Sequence, residues 1–269
     1  MRCLVLFGLL LSALPAYAGP KDQVRAFFDD FVALRNAFDP SVADLYLPEA
    51  KMISLRDGRD LIEIPFAEYR ESFLLSLPVS KAIGDVSRFE NVAVRLHGQG
   101  FRITATRYAA VKCATDPKYH LDVVRVGRDW RITEEYIEAV TLTRCQPSAE
   151  LGKALETARS QVADRLPIQV DDETRLEAIE LSGANLILRY WLPKVSPNTV
   201  DYRQLFGYLR QNGLRSICKQ TPQMRALTER GATVRLSYTD AKRRPLVNVD
   251  VSPGTCAYFD TLEARKPAG

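Results

Sequence analysis

Histidine is scarce in this chain, with two residues, His97 and His120, among 269. Their spacing suits no metal site, no Cys-X-X-Cys occurs, and Asp171-Asp172-Glu173 lacks the oxygen spacing of a calcium loop. No metal and no cofactor is therefore expected. Charge of one sign is also lacking. Lys and Arg number 37 against 33 Asp and Glu, a net charge of +4, far from the dense basic face that nucleic acid requires. The one basic run, Lys242-Arg243-Arg244, sits between two strand-like stretches and reads as a solvated turn. No Asn-X-Ser/Thr sequon is present. After the first eighteen residues no apolar run approaches the ~20 residues of a membrane span.

Those first residues are informative. Met1-Arg2 precedes an apolar run from Cys3 to Ala16 that ends in Ala16-Tyr17-Ala18, the layout of a cleaved secretory leader. Cleavage is expected after Ala18, with a periplasmic or secreted product and no membrane span thereafter. Cys3 precedes the apolar core and so is not a lipid-bearing cysteine. With 46% hydrophobic and 26% charged residues the rest is globular in composition. It exceeds the usual ~100–150-residue domain, which favours two.

The expected division is 1–18 leader, 19–146 first domain, 147–258 second domain and 259–269 a polar, frayed tail. In the first domain, Val24, Phe27, Phe28, Phe31, Val32 and Leu34 recur at helical steps between Asp22 and Phe38, and Asp39-Pro40 stops them. Ser41 to Tyr46 reads as a short helix, Lys51 to Leu55 as a short strand, and Phe66 to Leu77 as a third helix. From Phe89 the period changes to two. Val92, Val94 and Leu96 lead into a meander of strands with turns at Gly98-Gln99-Gly100, Thr115–Lys118 and Gly127-Arg128-Asp129, ending near Leu142. The second domain opens with a helix from Glu150 to Arg165, stopped by Pro167. Strands 175–181 and 185–192, a loop through Pro197, helices 201–217 and 222–230, and a last hairpin of strands 233–239 and 246–251 follow. Tyr202, Leu205, Phe206 and Leu209 are expected to face inward. The fold class is α+β in two modules, the second a small domain with two β-hairpins and helices.

Four cysteines remain beyond the leader, and four allow three pairings. Cys113 and Cys145 bracket one end of the meander, while Cys218 ends the long helix and Cys256 follows the last strand. Pairing neighbours gives one structural disulfide in each module, each closing a loop worth about 3–4 kcal/mol in the chain-entropy model.

The first module's order of helix, short helix, strand, helix and meander, closing in Gly127-Arg128-Asp129-Trp130-Arg131-Ile132, resembles the NTF2-like fold of steroid isomerases and SnoaL-like cyclases. Phe31 to Asp39, Leu45 to Ser54 and Val123 to Ile132 carry the likeness. It implies a curved sheet closed by helices, a cavity at the wide mouth, and a homodimer through the open sheet face. It does not imply a reaction. The steroid isomerases' general-base aspartate is matched here by Ser54, and their oxyanion-binding tyrosine by Phe31. Neither can fill that role. Any other acid–base pair would have to come from Asp30, Tyr46, Tyr108, His120 and Glu134, each of which also reads plainly as a surface carboxylate, a rim tyrosine or a solvated turn histidine. The second module, through Leu166-Pro167, Val170 to Leu176 and Val234 to Asp240, resembles an α+β accessory module of exported bacterial proteins. The expected function is non-catalytic binding of a small molecule or an envelope protein. An NTF2-like enzyme and a secreted effector or inhibitor are the alternatives.

Overall fold

A computed structural model describes residues 19–196 and 201–265. The leader, the loop around Pro197 and residues 266–269 lie outside the described residues, as do the side chains of Tyr202 and Arg203.

Helix α1 (Pro20–Ala37) starts at an extended Gly19, whose N–H donates to the Asp22 carboxylate at 3.1 Å, with proline in the first turn, where no helical partner for its nitrogen is needed. Val24, Phe28 and Phe31, spaced by four and three, form its buried face. It ends at Phe38, left-handed at φ 58°, and Pro40 prevents continuation. A 3-10 turn (Pro40–Leu45), begun by the Asp39 side chain accepting the Ser41 N–H, leads into β1 (Tyr46–Arg56). This strand is twice the length read from the sequence, and it folds back through Asp57 and Gly58, both at positive φ, into β2 (Asp60–Pro65). Helix α2 (Phe66–Ala82) runs through Pro78 and past the stop at Leu77. Its end is held by tertiary packing: a Cβ on Gly254 would come within 2.8 Å of Val79, so only glycine fits there.

Strands β3 (Ser87–His97), β4 (Gly100–Ala109), β5 (Ala114–Asp116), β6 (His120–Val126) and β7 (Asp129–Ala139) complete a sheet in the order β2-β1-β7-β6-β4-β3, with β5 on β4. Every pair is antiparallel except β1 with β7. The helices cover one face, and Phe28, Phe31, Phe66, Ile103, Leu121 and Ile132 form the core between.

In the second module α3 (Ala149–Ala163) is capped by Ser148, whose hydroxyl accepts the Leu151 N–H at 3.2 Å. Strands β8 (Ile168–Asp171), β9 (Thr174–Ser182) and β10 (Asn185–Trp191) are followed by α4 (Tyr202–Arg215), a π-helical turn (Ser216–Gln220) and α5 (Pro222–Glu229). Strands β11 (Thr233–Thr239) and β12 (Pro245–Val251) then pair. The two hairpins are joined by a parallel β10–β11 contact into one five-stranded sheet, β12-β11-β10-β9-β8. The fold is α+β with two sheets and two cores.

The C-terminal stretch is a correction. Instead of a frayed tail after Tyr258, helix α6 (Thr255–Ala264) continues the second core, because Cys256 is bonded to Cys218 and Phe259 is buried beside it. The other bridge joins Cys113 to Cys145, with Cα atoms 5.0 Å apart. The segment between β7 and that second cysteine is bonded to both modules. Asn185 pairs with the Thr143 backbone at 3.0 and 2.9 Å, while Lys112 Nζ donates to the Thr141 carbonyl and to Ser252 Oγ at 2.7 and 2.8 Å.

Candidate binding site in the cone

The floor of the first module's concave side is Glu135. Its carboxylate is 2% exposed and accepts four hydrogen bonds. Arg35 Nη1, on α1, donates to both oxygens at 2.9 and 3.3 Å. Tyr46, the first residue of β1, donates at 2.6 Å, and Tyr119, just before β6, at 3.2 Å. A carboxylate has about four acceptor positions, so this one is saturated. Breaking such a pair by removing one partner costs about 3–5 kcal/mol, because the other charge is left buried.

The surroundings tune each donor. Burial, and then the nearby Glu135 carboxylate, push the Tyr46 and Tyr119 hydroxyls well above the usual phenol range, so both stay protonated donors. Burial opposes the charge on Arg35, and the Glu135 carboxylate together with the Tyr46, Tyr119 and Tyr69 hydroxyls outweighs it, which leaves the guanidinium more firmly protonated than usual. Arg107 is shifted the other way, by burial first and Arg35 second. Its Nε donates to the Ser87 hydroxyl at 3.1 Å.

Above the floor is a cavity of about 160 Å³ lined by Arg35, Met52, Ser54, Ile62, Ile64, Tyr69, Phe73 and Ile137, with exposed Arg56 at its rim. A second cavity of about 120 Å³, bounded by Ser87, Arg107 and Asp85, lies against the same Arg35, Tyr69 and Phe73. Ser54 does face the cone, and Phe31 lies under the Arg35 guanidinium, 5.7 Å from it. The positions that carry acid–base groups in the isomerases are therefore at the site and chemically inert.

Of the five candidate residues, the fold brings only Tyr46 here. Asp30 is exposed on α1, beside buried Phe31. Tyr108 neighbours the cavity-lining Arg107 along β4 and so points to the opposite face, where the Arg88 guanidinium covers its ring at 4.6 Å. His120 and Glu134 do meet, at 3.1 Å, but on the outer face of the sheet. There Arg102 binds Asp122 at 2.6 Å and Glu134 at 3.2 Å, and the His120 ring stacks on Tyr136. Simple alternation from buried Ile132 would aim Glu134 into the cone. A β-bulge prevents it: Val123 pairs with Ile132 and Asp122 with Glu134, which leaves Thr133 as the extra residue. The inward carboxylate is thus Glu135. Sequence reading also passed over Arg35, Tyr69, Arg107 and Tyr119. The only local signals were an arginine one turn after Phe31 on an apolar helix face and a tyrosine opening a strand.

Helices over one face of a mixed sheet, with β1 parallel to β7 next to the edge hairpin, are the layout of the NTF2-like fold in the first module. No family model matches the chain, and no curated protein matches it. Among solved structures it is similar to a candidate secreted protein of Pseudomonas aeruginosa, at 21% identity over 40% of this chain and 93% of that one, with a TM-score of 0.34. It is also similar to NTF2-like proteins of unknown function from Shewanella oneidensis (12% identity, 45% of this chain and 100% of that one, TM-score 0.37) and Pseudomonas putida (11%, 44% and 85%, TM-score 0.36).

Proposed function

We propose that this is an exported, non-catalytic binding protein whose cone holds a small, mostly apolar carboxylic acid. Saturation of Glu135 carries the reading. A carboxylate whose acceptor positions are filled by Arg35, Tyr46 and Tyr119 has no free lone pair with which to take a proton from a substrate. Arg35, in contrast, commits only Nη1 to Glu135, so Nε and Nη2 are available to a ligand carboxylate in the two-point geometry that guanidinium favours. The remaining walls, Met52, Ile62, Ile64, Phe73 and Ile137, suit a ring or short chain. A space of this size matches cavities that take one benzene-sized group. The two disulfides are compatible with an exported protein.

Calorimetric titration tests this with benzoate and benzyl alcohol as probes. Benzoate is expected to bind at least about tenfold more tightly than the alcohol, the value of one charge-assisted contact. Ser54→Leu, which fills the cavity without touching the Arg35–Glu135 pair, is expected to abolish binding. Equal affinity for the two probes, or undiminished binding by the filled variant, would overturn the reading. So would turnover of a bound probe.

A further inference from the structure

The cone cavity and a groove bordering the second module share wall residues. Arg56 and Ile62, which wall the 160 Å³ cavity, also wall a groove of about 410 Å³ between the modules. Its other side is built from α4, β12 and α6, with Leu214, Val249 and Phe259 behind and Phe206 and Leu262 at the lip. Those last two are 38% and 39% exposed, among the large apolar side chains left open to water. Tyr258, also in the groove wall, is close enough to add to the electrostatic field on Tyr69 of the cone.

The charge in the groove is one-sided. Asp250 is held by Arg235 at 2.6 Å and so is already neutralised. Arg56 and Arg210, also in the wall, have no carboxylate partner among the described residues. The groove is thus apolar with two uncompensated cations, which matches an anion with a hydrocarbon body and disfavours a cationic one.

We infer that the second module extends the ligand site, and that the natural ligand class is a chain carboxylate whose head reaches Arg35 and whose tail lies in the groove between the modules. This rests on the cone reading above and goes beyond it in assigning the α4, β12 and α6 surface a binding role. By size alone, the cone cavity is below the ~300 Å³ typical of ligand pockets, while the groove is within that range.

The test is titration of the full chain with butanoate, octanoate, decanoate and dodecanoate, with benzoate as the cone-only probe and dodecyltrimethylammonium as the cationic control, all below micelle formation. Affinity is expected to rise about two- to fourfold per methylene beyond octanoate. Phe206→Asp and Leu262→Asp, at half-open positions that tolerate a polar group, are each expected to weaken dodecanoate at least about tenfold and leave benzoate unchanged. If benzoate binds but chain length adds nothing, the groove inference fails and the cone reading stands. If neither benzoate nor any chain acid binds, the cone reading fails with it. Dodecanoate binding that both Asp variants leave intact, or equal binding of the ammonium control, would also overturn the inference.

Discussion

Glu134 and Glu135 are adjacent on one strand and have opposite chemistry. Glu134 lies on the outer face, partly exposed among Arg102 and His120. Glu135 lies under the helices with a guanidinium and two phenols donating to it. The outer face shows what a charged ladder looks like when it solvates a sheet. The inner face shows a buried carboxylate with every acceptor position filled, whose removal is expensive. What separates them is the alternation of the strand, whose phase relative to Ile132 is shifted by the bulge at Thr133.

The largest effect that would break this contrast is loss of the buried carboxylate. Glu135→Leu is expected to destabilise the fold by about 3–5 kcal/mol, because Arg35 is left charged and half-buried, whereas Glu134→Leu changes it by under ~1 kcal/mol. Urea unfolding of the two variants measures both, and equal losses would dissolve the distinction. Next is Tyr46→Phe, which removes a donor to a charged acceptor and is expected to cost about 2 kcal/mol.

The same phenols give the inner face a pH signature. Their folded pKa values are raised, so their contribution is complete below the unfolded tyrosine value near ~10 and is lost as pH rises towards the folded values. Thermal melts are therefore expected to fall above about pH 10. They should fall less steeply in the Tyr46→Phe, Tyr119→Phe double variant, and an unchanged slope would count against the assignment. Deleting Thr133 sharpens the comparison further. Without the bulge the ladder runs Ile132, Glu134, Glu135 in regular alternation, which keeps Glu135 inward. The expected cost is only about 1 kcal/mol, for the lost Thr133 hydroxyl bond to the Asp122 carbonyl. The smallest effect belongs to His120→Ala on the outer face, at under ~1 kcal/mol and weaker still in high salt.

Much of the architecture was legible because it is periodic. The α1 stripe of Val24, Phe28 and Phe31 and the alternation from Phe89 onward each follow from local geometry. What escaped reading was decided by tertiary contact. Strand β8 is four residues long and β5 three, too short for a period to show. Helix α2 runs past Pro78, with Val79 and Ile83 packed at Gly254, more than 170 residues further along the chain. Helix α6 follows a glycine and carries few large apolar residues, yet the Cys218 bridge and Phe259 fix it. The site was least legible of all. Arg35 and Glu135 are 100 residues apart in sequence and form no spacing motif. The bulge at Thr133 also breaks the strand's alternation after Ile132, so that Glu135, and not Glu134, faces the cone.

Saturation of Glu135 also gives the cone a hydrogen-bond polarity. With its carboxylate filled and Arg35 still carrying free N–H groups, the floor offers donors to an incoming molecule and no unpaired anion. An amine entering the cavity would shed its hydration and find no counter-ion, while a carboxylate of the same shape exchanges water for a guanidinium. Under the binding role proposed above, the buried ion pair would sort molecules by the direction of their hydrogen bonds before shape is tested at all.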